Sequence, residues 1–325
     1  MQYTTLGRTN LHVSVAGLGG GGHSRLGLRL GRSLDDALTV AQAAFDQGVN
    51  VFDTAQGYGT EPVLAKLLDT VPRDQIVIST KAGIGWMGPI NCTPQEFAKT
   101  IDDRLTQLNT DYIDIMYIHG LHPDLVDDAM EMIVPVMQKA RDAGKVRFIG
   151  VTEMFEHDFT HQMLQRALPY DCFDVVMLGF NILNQTARDT VLPMIQKQNV
   201  GTMCMFAIRQ ALSNEDRFKQ TINQLIDEGR IDPALINATN PLDFLKLTSA
   251  EISGGTSGGG GYADIVDACY RFCRDEPGMD IVLTGTSNTA HLAANLQSIN
   301  APALPVEHRQ RLIDIFKNVD HLSGD

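Results

Sequence analysis

The apolar positions of this chain fall into short, nearly continuous runs. Longer stretches separate them, in which apolar residues recur every three or four positions. The runs are Val15–Leu18, Val49–Phe52, Ile76–Ser79, Ile113–Ile118, Phe148–Val151, Val175–Leu178, Thr202–Met205 and Ile281–Leu283. Apolar residues at successive positions, not alternate ones, fit parallel strands buried on both faces. The intervening stretches read as amphipathic helices. In SLDDALTVAQAAFDQG, Ser33 caps the helix, acids fill the first turn and Gly48 stops it. In TPQEFAKTIDDRLTQL, Thr93 is the cap, Pro94 takes the first helical position and Glu96 completes a capping box. DLVDDAMEMIVPVMQKARDAG and HLAANLQSI carry the same period.

Strands alternating with helices at roughly 30-residue intervals predict right-handed βαβ units. Eight such units predict an α/β fold, the (β/α)8 TIM barrel. The opening MQYTTLGRTNLHVS reads as an N-terminal β-hairpin turning at Gly7-Arg8-Thr9-Asn10, placed to plug the barrel's bottom. One interval is much longer, from Ala207 to Asp280. It holds RFKQTINQLIDEG, NPLDFLKL and the glycine-rich SGGTSGGGG. We read it as a long loop with extra helices after strand 7, the glycine-rich 253–261 stretch being a flexible lid or linker, within one domain spanning 1–325. A rival reading uses AGLGGGG, where Gly17, Gly19 and Gly22 fit a dinucleotide fingerprint with Asp53 as the ribose-binding acid. That fingerprint should open a helix, whereas HSRLGLRLGR brings two further glycines first, so the barrel is preferred.

Composition narrows the function. The 325 residues are 43% hydrophobic and 20% charged, enough for a large buried core, and the net charge of −13 disfavours binding to nucleic acid or anionic lipid. Five scattered cysteines fit free thiols in a reducing compartment. With no signal-peptide pattern and no apolar run long enough to span a bilayer, the expected location is cytoplasmic and no membrane is expected as a partner. Nothing in the pattern demands an oligomer.

The candidate chemistry lies where the apolar runs stop. In a barrel, the loops at the C-terminal ends of the strands build the active site. The second run ends at Asp53, the third at Lys81 and the fourth at His119, and Tyr58 sits in the loop beyond Asp53. Alone, each has an ordinary explanation: a turn residue, a snorkelling lysine, a core histidine. Together on one rim they form a coherent set. A phenol is a weak proton donor near neutral pH. A nearby ammonium favours its phenolate, a carboxylate keeps that ammonium charged, and an imidazole on the next strand can orient a substrate oxygen. The set contains no nucleophile-plus-base pair and no metal shell, so something else must supply electrons. His157 and His161 are spaced as a metal pair but lack a third ligand, and read as a solvated helix face. Cys269 and Cys273 read as core packing.

Asp53, Tyr58, Lys81 and His119 on a barrel, together with FDTAQGYG, STKAG, DYIDIMYIH, KVRFIGVTE and GTSNTAHLAANL, give a chain that resembles the aldo-keto reductase superfamily along its whole length. The resemblance implies hydride transfer between a nicotinamide and a carbonyl carbon. By it, Tyr58 is the general acid or base, Lys81 lowers the tyrosine pKa, Asp53 orients the lysine and His119 positions the substrate oxygen. It places the nicotinamide carboxamide at Thr152 and Glu153, where the family usually has Ser and Asn. Met177 replaces an expected glutamine, and Phe206 stands where an aromatic ring stacks on the nicotinamide. In LTGTSNTAHLAANL a strand, a tight turn and a helix start create an anion site, with Gly285, Thr286, Ser287 and Asn288 as contacts and Asn295 matching the adenine-binding residue. Arg209 is a candidate for the diphosphate.

Cofactor and substrate follow from charge. Between Gly285 and Asn295 the chain offers Ser287, Asn288 and His291 but no Arg or Lys, which tilts the choice from NADP towards NAD or dual use. With few positive groups expected near the rim beyond Lys81, the substrate is read as a small neutral carbonyl compound or sugar, with Trp86 forming one pocket wall. The alternative from another class is a cofactor-binding regulatory or redox-sensing subunit with little turnover, for which a tuned phenol has no purpose.

Overall fold

The protein is described here by a computed structural model covering residues 1–85, 88–213, 215–237, 239–241 and 265–325. The first two strands, β1 (Tyr3–Thr5) and β2 (His12–Ser14), pair antiparallel. Eight more follow: β3 (Ala16–Gly19), β4 (Val51–Asp53), β5 (Val77–Ala82), β6 (Ile113–Leu121), β7 (Val146–Glu153), β8 (Val175–Gly179), β9 (Gly201–Met205) and β10 (Ile281–Thr284). All neighbours among these eight are parallel, and β10 closes the ring on β3, so the sheet is a barrel in sequence order. A closed ring excludes the open dinucleotide-binding sheet, and AGLG is the first barrel strand itself.

The strands obey the two-residue period of side-chain direction. Val51, Val77, Ile115, Val175, Met203 and Ile281 form an interior cluster with Leu6, Leu11 and Val13 from the hairpin region. The hairpin thus seals the lower end, each fully buried side chain such as Leu6 contributing about 1.5–3 kcal/mol. The outward residues of the strands join the larger cluster beneath the helices. Several strands run past the apolar pattern, so that Asp53, Lys81, His119, Thr152 and Glu153 lie within strands and not after them. Each extension carries a polar side chain to the upper rim.

The helices begin where the caps predict. Ser33 and Thr93 both make reciprocal capping boxes, with Asp36 and Glu96 respectively. The stretch DLVDDAMEMIVPVMQKARDAG, expected as one helix, is two, Val126–Met132 and Val134–Asp142. Pro135 lacks an N–H and crowds the preceding turn, which breaks the ladder there. RFKQTINQLIDEG forms helix Glu215–Asp227, while the 253–261 stretch lies outside the described residues. Among the described residues no helix is long and apolar enough to cross a membrane.

Candidate active site

Strand register explains how four distant residues meet. Asp53 pairs across the sheet with Ser79, and Lys81, two residues on, shares the inward face of Ser79. Lys81 pairs in turn with Tyr117, and His119 lies two residues beyond on that same face. The Lys81 ammonium meets Asp53 Oδ1 at 2.6 Å, Asp53 Oδ2 at 2.5 Å and the Thr54 carbonyl at 2.9 Å. Three donors thus face three acceptors, and Ser79 Oγ donates to Asp53 Oδ1 at 2.6 Å. The side chains of Lys81 and Asp53 are 1% and 4% exposed, so this pair works where water screens little.

Tyr58 stands above the pair. Its ring centre is 5.1 Å from Lys81 Nζ, and its hydroxyl lies 3.4 Å from His119 Nε2, the two rings meeting edge-on. Burial, with the Lys81 charge second, pushes the His119 imidazole down to about 3, so the ring is neutral under ordinary conditions. Gly21 clears the space for the phenol: a Cβ there would come within 2.6 Å of the Tyr58 ring. Beneath, Tyr117 fills the barrel; burial, with Asp53 second, raises its phenol well above the usual value, and its Oη has no hydrogen-bond partner among the described residues. Asp53, Tyr58, Lys81 and His119 line one side of a cleft of about 1060 Å³ across the barrel mouth. They offer a phenolic proton, a fixed positive charge beside it and a neutral imidazole, a set suited to moving a proton onto or off a single oxygen.

The other arc of the mouth comes from β7 to β10. Thr152 is buried, and its Oγ1 accepts the Gly120 N–H at 2.8 Å, keeping its own O–H proton to donate. Phe206 adopts a left-handed φ of 66°, a costly conformation for a ring-bearing residue, and Asn181 holds its carbonyl at 3.1 Å. Arg209 covers one face of that ring at 4.1 Å and is itself held by Glu156 at 2.8 Å and by Asp325. Gly285, Thr286 and Ser287 line the cleft, with Gly285 so close to β3 that a Cβ would sit 3.1 Å from the Gly19 carbonyl. Asn288 caps helix Thr289–Asn300 by accepting the N–H groups of Ala290 and His291. The groups of this arc that could hold a dinucleotide are an O–H donor and an aromatic ring at the nicotinamide end and a glycine-lined turn at a helix start for phosphates.

Several sequence readings are placed otherwise. Glu153 lines the cleft, but its oxygens are engaged inside the protein, by His161 Nδ1 at 2.8 Å and the Gly179 N–H at 2.7 Å. Burial pushes its carboxyl above the ordinary value while His161 pulls the other way. His161 is therefore buried, at a left-handed φ of 61° before its helix, and not on a solvated face with His157. His291 is exposed, and Asn295 donates to Thr284 Oγ1 at 2.9 Å; neither lines the cleft. Trp86 lies outside the described residues. Cys269 and Cys273 are packed in the core, as their sequence reading expects. The expectation of few cations at the rim is corrected: Arg29, Arg209 and Arg217 line the cleft, together with Glu153, Glu156, Asp53 and Asp325. The arginines of HSRLGLRLGR were the missed signal, since they follow the first strand and therefore lie at the mouth. Among the described residues no cluster of three or more His, Cys, Asp or Glu side chains could hold a metal ion.

Comparison with known proteins bears on the family and the fold. The chain is 32% identical over 223 residues to L-galactose dehydrogenase of Arabidopsis thaliana, covering 66% of this chain and 68% of that protein. It is 25% identical over 335 residues to Aldo-keto reductase YhdN of Bacillus subtilis, covering 98% and 94%. The holo form of aldo-keto reductase AKR11C1 from Bacillus halodurans superposes with a TM-score of 0.71 at 21% identity, over 99% of this chain and 97% of that one, which speaks for the fold. The model of the aldo/keto reductase family matches residues 18–315, and the chain belongs to that family.

Proposed function

We propose that this protein interconverts a small aldehyde, ketone or sugar with its alcohol, using NAD or NADP and Tyr58 as the proton-transfer group. The observation that carries the reading is the convergence of Tyr58, the Asp53-held Lys81 and the neutral His119 at one edge of the cleft. A bound nicotinamide supplies the hydride in reduction and accepts it in oxidation. The Tyr58 phenol passes its proton to the carbonyl oxygen as negative charge develops there, and takes it back in the reverse direction. The Lys81 ammonium stabilises the charge left on the phenol, and Asp53 and Ser79 fix that ammonium so that no reorganisation is needed. His119, uncharged, contributes a directional hydrogen bond to the same oxygen. Thr152 and Phe206 would hold the nicotinamide end, and Gly285, Thr286 and Ser287 the phosphates. A sugar or hydroxyaldehyde is favoured by the mixed charges of the cleft and by the resemblance to L-galactose dehydrogenase.

The test is a panel of aldehydes, ketones and sugars with both cofactors, followed by nicotinamide absorbance. Turnover of at least one substrate class is expected. Dinucleotide binding without turnover across the whole panel would instead identify a binding or sensing subunit.

A further inference from the structure

The segment between Gly285 and Asn295 has no Lys or Arg, yet the fold brings a cation to it from elsewhere. In the ring, β3 lies between β10 and β4, so the loop after β3 sits over the seam between the phosphate turn and the Tyr58 loop. Its arginines bridge that seam. On one side Arg25 Nη1 donates to the Tyr58 carbonyl at 3.4 Å. On the other, Arg32 Nη1 donates to the Ser287 carbonyl, and Arg29 lines the cleft alongside Ser287.

This loop is a built structure. Leu26 is 1% exposed and anchors it in the core. Gly27 and Gly31 take left-handed φ values of 102° and 79°, and the Arg32 N–H returns to the Gly27 carbonyl at 3.1 Å. A Cβ at Gly27 would come within 2.7 Å of Arg32 Cδ, so the glycine lets the arginine stem lie flat across the loop towards Ser287. The contact with Ser287 uses one of the five N–H groups of a guanidinium and does not neutralise its charge. Asp36 lies within the electrostatic reach of Arg32 but is already bound to Ser33 in the helix cap.

We propose that Arg32, supported by Arg29, is the cationic grip for a ribose 2′-phosphate and makes the site accept NADPH as well as NADH. The inference rests on the dinucleotide reading above and adds to it the residue that decides between the two cofactors. A guanidinium beside the turn pairs with a phosphate dianion through charge-assisted hydrogen bonds, and NADH offers only a hydroxyl there.

The experiment is equilibrium binding to the intact protein of NADPH, NADH, 2′,5′-ADP and ADP, for wild type, Arg32→Ala and Arg32→Lys. The two ADP probes carry no nicotinamide, so the readout is independent of turnover. Arg32→Ala is expected to weaken NADPH and 2′,5′-ADP about tenfold, leave NADH and ADP within about twofold, and be partly rescued by Lys. An unchanged circular dichroism spectrum checks the fold. Equal effects on both cofactors, no effect on either, or a wild type that binds NADH but not NADPH overturns the assignment of Arg32 alone. A wild type that binds neither dinucleotide overturns the proposed function with it.

Discussion

Replacing Lys81 by methionine separates the two jobs assigned to that residue. The Lys81–Asp53 pair is almost fully buried, with contacts of 2.5 and 2.6 Å, and removing the ammonium leaves Asp53 with the Ser79 hydroxyl as its remaining side-chain donor. An uncompensated buried charge costs about 3–5 kcal/mol. That is a large share of a stability of about 5–15 kcal/mol, and corresponds to a fall of about 4–7 °C in Tm. The catalytic loss is separate. Without the ammonium 5.1 Å from the Tyr58 ring, the charge left on the phenol has no fixed cation beside it, and the rate should fall by about two orders of magnitude. The double variant Lys81→Met, Asp53→Leu distinguishes them. Removing both charges restores stability to within about 2 kcal/mol of wild type, while turnover stays lost. Urea unfolding at neutral pH measures the first quantity and single-turnover hydride transfer the second. A Lys81→Met protein as stable as wild type, or a double variant that recovers turnover, refutes the reasoning.

Two further outcomes are expected. The His119 imidazole titrates at about 3 when folded against 6.5 as an ordinary histidine, so the folded state binds fewer protons between those values; the stability it contributes is complete above pH 6.5 and is lost as pH falls towards 3. Tm measured from pH 7 to 4 should therefore fall less steeply in His119→Gln than in wild type, and parallel curves would contradict the buried neutral ring. Gly21→Ala places a methyl within 2.6 Å of the Tyr58 ring, so kcat should fall at least about tenfold through displacement of the phenol, with cofactor Kd little changed. Unaltered kcat would show that the phenol is not held there.

The barrel was legible because parallel strands buried on both faces leave unbroken apolar runs, and Asp53, Lys81 and His119 were legible because they interrupt three such runs at the same end. Helix starts were readable from local chemistry, as Ser33 and Thr93 show. What stayed hidden depends on contacts between segments. Glu153 looked available for a cofactor, since its partners are the Gly179 amide on the next strand and His161, whose left-handed backbone has no helical period to signal it. Arg32 is 255 residues from Ser287, so a count of charges within the phosphate segment missed the cation that the ring closure delivers. Phe206 was recognised as an aromatic at a strand end, but not its left-handed φ or the Arg209 stacked on it.

The central claim is that the Tyr58 hydroxyl carries the proton during hydride transfer. The most direct measurement is a single-turnover reduction by Tyr58→Phe with cofactor pre-bound, alongside its cofactor Kd. The rate of nicotinamide oxidation should drop about 10³-fold while Kd stays within about twofold of wild type, since the ring and its contacts with Gly21 and Lys81 persist. A rate within about tenfold of wild type would contradict the account and assign the proton to another group.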